Sequence, residues 1–138
     1  PDLEFMLKNY DAGLIIGDKA LYFQPDDLKI LDLGEYWFKL TGLPFVFAFW
    51  AGWPGILDKK AIETLQRSLE LGLNNVDEIA EEFARQGNGT PMLNSAYLTH
   101  NIHFRLGPAE LEGLKLFYSY ACEIGQINVV PEINFYAA

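Results

Sequence analysis

The best candidate for chemistry is the tripeptide Ile16-Gly17-Asp18, which ends an apolar run that begins at Gly13. The run predicts a buried strand, and Gly17-Asp18 predicts the turn into a helix at Lys19. Aspartate is a favoured N-cap residue, so Asp18 is expected to cap this helix. Free backbone N–H groups at such a helix start suit a carboxylate or phosphate. An ordinary strand-to-helix turn that binds nothing remains the alternative for these residues.

The two histidines are of a residue type often used in catalysis or metal binding. His100 and His103 lie three positions apart, close enough to share a helix face. No carboxylate or cysteine nearby completes a metal-ligand pattern, so ordinary surface or core histidines are predicted and no metal site. The sequence also contains no nucleophile-elbow, dinucleotide-binding or phosphate-loop motif.

Two tryptophans and two aspartates have both a functional and a structural interpretation. Trp50 and Trp53 flank Gly52 near the end of an apolar run, where they could wall a cleft for a ring-shaped substrate or simply pack in the core. Asp26 and Asp27 stand beside Pro25 in an expected turn, where solvated carboxylates are predicted.

The elements that must position these residues are two strands and about five helices. The second strand is expected at Phe45–Trp50, which is apolar on both faces as in a central strand covered on both sides. Two strands do not make an independently stable sheet. At least one strand partner is therefore expected to lie outside this chain.

Capping and stop residues predict the helices. Capping-box spacing occurs at Asp32 with Glu35 and at Asn75 with Glu78, and Asp58 is expected to cap a further helix. The predicted helix ends are Gly42, Gly72 and Gly87, a further helix is expected from Asn94 to about His103, and Pro108 should open the last helix. The tail from Val129 to Phe135 should lie extended against the body.

Composition and charge restrict the class of protein. Half of the residues are hydrophobic and 14% are aromatic, which predicts a globular domain. The net charge of −9 argues against a nucleic-acid partner and an anionic membrane surface. No apolar run reaches the roughly eighteen residues of a membrane span. The single cysteine, Cys122, predicts a packed thiol and a reducing, cytoplasmic setting.

Four segments, in this order, resemble the chorismate dehydratase family of the futalosine route to menaquinone. The two strand motifs are the most specific: Asp11-Ala-Gly-Leu-Ile-Ile-Gly-Asp-Lys-Ala-Leu21 and Thr41-Gly-Leu-Pro-Phe-Val-Phe-Ala-Phe-Trp-Ala-Gly52. Between them, Asp32-Leu-Gly-Glu-Tyr-Trp37 is similar to a family helix. The stretch Leu111–Ala121 is similar to the last family helix, so that the resemblance covers nearly the whole chain.

The resemblance implies an α/β fold of the type 2 periplasmic-binding-protein-like kind, with two lobes joined by crossing strands and the ligand in the cleft. This chain is expected to be a mostly helical part of it. Residues 1–42 would form the end of the second lobe, and residues 43–138 the crossing strand and the C-terminal helices of the first lobe. Members of the family have longer chains, and the N-terminal part of their fold has no counterpart here.

The resemblance also implies a reaction, the removal of water from chorismate to give 3-[(1-carboxyvinyl)oxy]benzoate by a hydro-lyase that uses no cofactor. The substrate is a small-molecule carboxylate, and the expected macromolecular partner is the N-terminal half of the same protein or a second copy in a homodimer. No catalytic acid or base can be nominated. Six residues are assigned to substrate positioning: Ile16, Gly17, Asp18, Leu43, Pro44 and Phe45.

Two alternatives to the dehydratase remain open at this point. One is a non-catalytic module of the same fold that binds a small carboxylate, because the fold alone does not determine the chemistry. The other is the related enzyme later in the same pathway, which makes a dihydroxynaphthoate. Its strand motifs differ, so the run from Ile16 to Leu21 argues against it.

Overall fold

The computed structural model describes residues 3–23 and 27–136, and these residues are mainly helical. No residue in these two ranges forms a β-strand. The elements are α1 Leu3–Asn9, α2 Asp18–Leu21, α3 Leu33–Thr41, α4 Lys59–Asn74, α5 Val76–Arg85, α6 Pro91–Ala96, a π-helical turn Tyr97–Asn101, and α7 Pro108–Glu123.

The chain divides into two units, Pro1–Ile30 and Leu31–Ala138. The first unit contains α1 and α2. Helix α1 packs on Gly13, where an added Cβ would lie 3.0 Å from Leu3 Cδ1 and 3.3 Å from Met6 Cβ. The lack of a side chain at Gly13 therefore allows the close approach of α1 to the segment that precedes Gly17.

The predicted ends of α3 are confirmed. The Asp32 carboxylate accepts a hydrogen bond from the Glu35 backbone N–H at 2.9 Å, which satisfies one of the free donors of the first turn. Gly42 ends the helix with a φ of 72°, and its N–H donates to the Phe38 carbonyl at 2.8 Å. A positive φ of this kind strongly favours glycine.

Helix α4 begins as predicted but extends further. The Asp58 carboxylate accepts from the Ala61 N–H at 2.8 Å, which confirms the cap. The helix continues through Gly72 to Asn74, so the predicted end at Gly72 is wrong. Gly72 is not among the glycines with a positive φ and therefore does not reverse the backbone. Glycine weakens a helix without necessarily ending it.

The capping box predicted at Asn75 and Glu78 is also wrong. Asn75 does precede α5, but its side chain makes no capping hydrogen bond there. Its amide Nδ2 donates instead to the Leu71 carbonyl of α4 at 2.7 Å. An asparagine between two helices can donate to the free carbonyls at the end of the first helix or accept from the free N–H groups at the start of the second. Asn75 donates to a carbonyl of the first helix, α4.

Helices α5 and α6 pack against each other around a buried asparagine. Asn94 is 4% exposed, and its Nδ2 donates to the carbonyls of Ala80 and Asn88 at 3.3 and 2.9 Å. The helix predicted over Asn94–His103 begins earlier, at Pro91 with Thr90 as its cap. It ends in the π-helical turn, before His103.

Helix α7 begins at Pro108, as predicted. Glu110 accepts from the Gly107 N–H at 3.0 Å, and Gly113 and Leu114 are buried in its middle. Residues 130–136 form neither helix nor strand. The Tyr136 hydroxyl donates to the Trp53 carbonyl, but Val129 and Phe135 are 73% and 64% exposed. The tail therefore touches this unit at Tyr136 and does not pack along it, contrary to the prediction for Val129–Phe135.

The two predicted strands, Gly13–Ile16 and Phe45–Trp50, are not formed. Ile16 is 75% exposed and Phe47 is 76% exposed, whereas a covered central strand would bury both. Only Ala80 and Leu114 are fully buried hydrophobic residues in the described part of the chain. A strand exists through hydrogen bonds to a neighbouring strand, and no described residue supplies that neighbour.

Candidate functional site

The first predicted site segment, Ile16–Asp18, is a turn into a short helix. Gly17 has a φ of 69° and a ψ of −153°, a conformation that only glycine adopts readily, and its carbonyl accepts from the Ala20 N–H at 2.8 Å. Gly17 is therefore the N-cap residue of α2. Asp18 is the first helical residue, and its side chain makes no capping hydrogen bond. The predicted Asp18 cap is wrong because the cap position falls one residue earlier.

This correction changes the electrostatics expected at the turn. Asp18 places a carboxylate in the first turn of α2, where its negative charge opposes the binding of an anion. The helix has only four residues, so its dipole is small. A role of Ile16, Gly17 and Asp18 in substrate contact stays a prediction.

The second predicted segment, Leu43–Phe45, is held in place by the end of α3. The Thr41 hydroxyl donates to the Trp37 carbonyl at 2.9 Å and accepts from the Leu43 N–H at 3.1 Å. A threonine in the last helical turn thus satisfies a helix carbonyl and directs the following chain. The segment leaves α3 in a defined direction as a result.

Helix α7 holds the same segment from a second side. Gly113 lies against the Pro44 carbonyl, and a Cβ at position 113 would lie well inside 3.0 Å of that oxygen and 3.6 Å from Leu43 Cβ. Cβ atoms essentially never come within 3.0 Å of a heavy atom from a distant part of the chain. Only glycine at position 113 is compatible with this packing.

An aromatic cluster continues the contact between α3, α7 and the segment. The Phe45 ring packs edge-to-face against Trp37 and Phe117, with centroids 5.6 and 5.3 Å apart. Trp37 also meets Tyr120 at 5.9 Å. Such arrangements are favourable beyond the area they bury. The indole N–H of Trp37 is buried and finds no hydrogen-bond acceptor in the described part of the chain.

The sequence did not identify Thr41 or Gly113 as important for this segment. A weak signal for Gly113 was present, because a glycine inside a helical pattern costs stability and can mark a close packing contact. Nothing in the sequence showed which backbone it would meet. The signal at Thr41 was weaker, since threonine at a helix end is common.

The two tryptophans lie on the surface. Trp50 is 88% exposed and Trp53 is 81% exposed, so the core-packing alternative is wrong for both in this chain. Their rings are available to a ligand or to another polypeptide. Asp27 is exposed as predicted, whereas Pro25 and Asp26 lie outside the described residues.

The histidines and the cysteine show no catalytic arrangement. His100 Nδ1 lies 2.8 Å from the Thr99 hydroxyl and 3.2 Å from the Ala96 carbonyl. Cys122 is half-buried in the last turn of α7. Among the described residues, no group of three His, Cys, Asp or Glu side chains is placed to hold a metal ion.

Two open grooves in the second unit contain none of the six predicted site residues. One, of about 610 Å³, runs between α4 and the segment before α7, where Arg105 Nη2 pairs with Glu70 Oε1 at 2.6 Å. The other, of about 450 Å³, lies beside it and includes His103. Both are wide and exposed, and an exposed ion pair contributes little binding energy.

The six predicted residues fall in different units. Ile16, Gly17 and Asp18 belong to the first unit, and Leu43–Phe45 belongs to the second. Within the second unit the structure brings together Leu43–Phe45, Thr41, Gly113 and the aromatic cluster. This half-buried junction of α3, α7 and the segment between α3 and α4 is the best-defined part of the candidate site.

The comparison with protein families identifies the chain over most of its length. Residues 1–123 match the family model described as menaquinone biosynthesis. The chain belongs to the menaquinone biosynthesis family. The matched range includes both predicted site segments and all of α7. No helix in the described ranges of this family member is long and apolar enough to cross a membrane.

Two curated relatives that this chain matches are named chorismate dehydratase. The protein of Thermus thermophilus is 32% identical over 130 residues, which covers 81% of this chain and 48% of the relative. That of Campylobacter jejuni subsp. jejuni is 31% identical over 116 residues, which covers 82% of this chain and 50% of the relative. The chain therefore spans about half the length of the curated relatives it matches. The resemblance inferred from the sequence motifs is confirmed.

No solved structure matches the chain significantly.

Proposed function

We propose that this chain supplies part of a chorismate dehydratase, a hydro-lyase that removes water from chorismate to give 3-[(1-carboxyvinyl)oxy]benzoate without a cofactor. The observation that carries the proposal is the match of four-fifths of the chain to two proteins named chorismate dehydratase. Membership of the menaquinone biosynthesis family agrees with it. Neither match favours a binding module without catalysis.

The proposed fold is the two-lobe, type 2 periplasmic-binding-protein-like α/β fold, with residues 1–42 in the second lobe and 43–138 in the first. The helices found between residues 33 and 123 are compatible with the helical layers of such lobes. The apolar segments Gly13–Ile16 and Phe45–Trp50 would become strands once neighbouring strands were present, because their sequences suit covered strands. Their exposure in this chain supports that view.

Within this fold we assign substrate positioning to Ile16, Gly17, Asp18 and to Leu43–Phe45. Elimination of water requires a proton acceptor, assistance to the leaving hydroxide and anchors for two carboxylates. The six residues provide shape and backbone groups, and among them Asp18 is the only ionisable side chain. The groups that transfer protons and bind the carboxylates would then come from the rest of the enzyme.

The amount of exposed surface supports the need for a further polypeptide segment. The accessible surface of the chain is 11385 Å². Two separate compact bodies of the sizes of the two units would together expose only roughly 8,400 Å². Exposed aromatic residues such as Phe47, Phe49, Trp50 and Trp53 account for part of the excess. We propose that the N-terminal half of the family fold, or a second copy of the chain, covers this surface.

The proposed location is the cytoplasm. The only cysteine cannot form a disulfide within the chain, which suits a reducing compartment.

The decisive experiment is reconstitution of the reaction. The chain is mixed with a separately produced polypeptide, the part of the Thermus thermophilus relative that the chain does not match, and chorismate consumption is followed by chromatography and mass spectrometry. We expect a product lighter than chorismate by one water in the mixture only. Each polypeptide alone is the control, because one side of a cleft cannot fix both carboxylates or exclude water.

Three other outcomes would change the assignment. Saturable binding of chorismate by the mixture without product would favour the binding module. A complex of the two polypeptides that neither binds nor converts chorismate would refute the proposed function. Turnover by the chain alone would show that the complete site lies within these 138 residues.

A further inference from the structure

The packing of Gly113 carries an inference beyond the assignment of a reaction. Gly113 is buried in the middle of α7 and lies against the backbone of Pro44. A Cβ there would overlap the Pro44 carbonyl oxygen, which belongs to the backbone and cannot rotate away as a flexible side chain can. A larger residue at position 113 would have to displace the Leu43–Phe45 segment, or α7 would have to move.

Gly72 gives an internal comparison. It lies inside α4, a helix of 16 residues like α7, and a Cβ at Gly72 would meet nothing within 4 Å. Glycine is a poor helix former at either place. Of these two glycines, Gly113 is the one whose backbone contact excludes alanine, so the glycine there is needed for the position of another segment.

The segment that Gly113 contacts is restrained on its other sides. The Thr41 hydroxyl accepts a hydrogen bond from the Leu43 N–H at 3.1 Å. The Phe45 ring is held edge-to-face by Phe117 of the same helix α7 at 5.3 Å and by Trp37 of α3. Gly113 therefore determines how closely the Pro44 backbone approaches α7. Thr41 and the aromatic rings determine the direction in which the Leu43–Phe45 segment runs.

We infer that Gly113 is a positioning residue for substrate binding, which acts through Pro44 by fixing where Leu43–Phe45 lies. The substrate part of this inference rests on the proposed function, which places Leu43–Phe45 at the substrate. Gly113 itself contacts no substrate. It keeps Leu43–Phe45 in a preorganised conformation, which lowers the entropy cost of ordering the segment when substrate binds.

The first test measures local structure and needs no activity. Amide hydrogen exchange is compared in Gly113→Ala, in Gly72→Ala and in the unchanged chain. The reporters are the Leu43 amide, which bonds to Thr41, and the Asn94 amide, which donates to the Thr90 carbonyl at 2.9 Å. We expect Gly113→Ala to speed exchange at Leu43 at least tenfold and at Asn94 less than twofold, and Gly72→Ala to speed neither.

The second test measures chorismate conversion by the reconstituted mixture. Gly113→Ala should raise KM for chorismate at least tenfold and lower kcat less than threefold, because the displaced segment binds substrate without joining the chemistry. Gly72→Ala should leave both constants within twofold. If Gly113→Ala does not fold, Thr41→Val loosens the same segment without adding volume and should likewise raise KM.

The outcomes separate the inference from the proposed function. Equal acceleration of exchange at Leu43 and Asn94 in Gly113→Ala would mean general destabilisation and would overturn the inference. Unchanged KM in both Gly113→Ala and Thr41→Val, in an active mixture, would also overturn it. An inactive unchanged mixture with selective exchange at Leu43 would refute the proposed function while confirming that Gly113 fixes the segment.

Discussion

Replacement of Asn94 tests how much the α5–α6 pair depends on one buried amide. Asn94→Leu keeps the number of side-chain heavy atoms and the branch at Cγ, and it removes the Nδ2 donor that reaches the carbonyls of Ala80 and Asn88 at 3.3 and 2.9 Å. The Asn88 carbonyl lies in the loop between the two helices, so the amide joins that loop to α5. Both carbonyls lose this partner, the Ala80 carbonyl in a buried place and the Asn88 carbonyl in a part-buried one.

The expected magnitude follows from these two contacts. A hydrogen bond contributes about 1 kcal/mol net, and a buried group left without its partner costs about 1–3 kcal/mol. The longer bond to Ala80 contributes less than the shorter one, so a total loss of about 2 kcal/mol in the free energy of unfolding is expected. For a chain of this size, that loss lowers the melting temperature by about 7 °C.

The assay is thermal and urea denaturation followed by circular dichroism. The matched control is Asn75→Leu, since the Asn75 amide also donates to a backbone carbonyl, that of Leu71 at 2.7 Å, but is exposed. Water can replace an exposed donor, so the control should change stability by less than about 0.5 kcal/mol. Equal losses in the two variants would refute the reasoning, because burial would then have no influence on the effect.

Three further predictions follow from the caps and the exposed rings. Asp58→Ala should lower the free energy of unfolding by about 1 kcal/mol, measured from the urea midpoint, whereas Asp58→Asn should retain most of it; equal losses would contradict the cap. Asp18→Ala should change stability by less than about 0.5 kcal/mol in the same assay, because its side chain caps nothing, and a larger loss would restore the rejected cap. Acrylamide should quench Trp50 and Trp53 strongly in the isolated chain and less after reconstitution, and chorismate should quench them only after reconstitution; protection in the isolated chain would contradict their exposure.

Four of the predicted helix starts and ends that depend on neighbouring residues are confirmed. Asp32, Asp58, Gly42 and Pro108 act on groups within four positions along the chain, so the sequence contains both partners of each interaction. The predictions at Gly72 and Asn75 failed although the signals were also local. Glycine permits a helix end without requiring one, and an asparagine side chain can bond in either direction.

The strand predictions failed for a different reason. The segments Gly13–Ile16 and Phe45–Trp50 have the composition of covered strands. Composition shows only that a segment is suited to a strand, and does not show that a neighbouring strand is present. Strand formation needs hydrogen bonds from a second segment, and the described residues of this chain do not supply one.

By itself the sequence determined the family, through the Asp11–Leu21 and Thr41–Gly52 motifs, and most of the division into helices. The tertiary structure decided how the candidate site is held. The approach of Gly113 to Pro44 joins residues far apart in the chain, and so do the packing of Phe45 on Phe117 and the burial of Asn94 against Ala80. A local interaction can be inferred from spacing because the chain itself brings the partners together. A contact between distant segments depends on how helices pack, and many packings are compatible with the same apolar pattern.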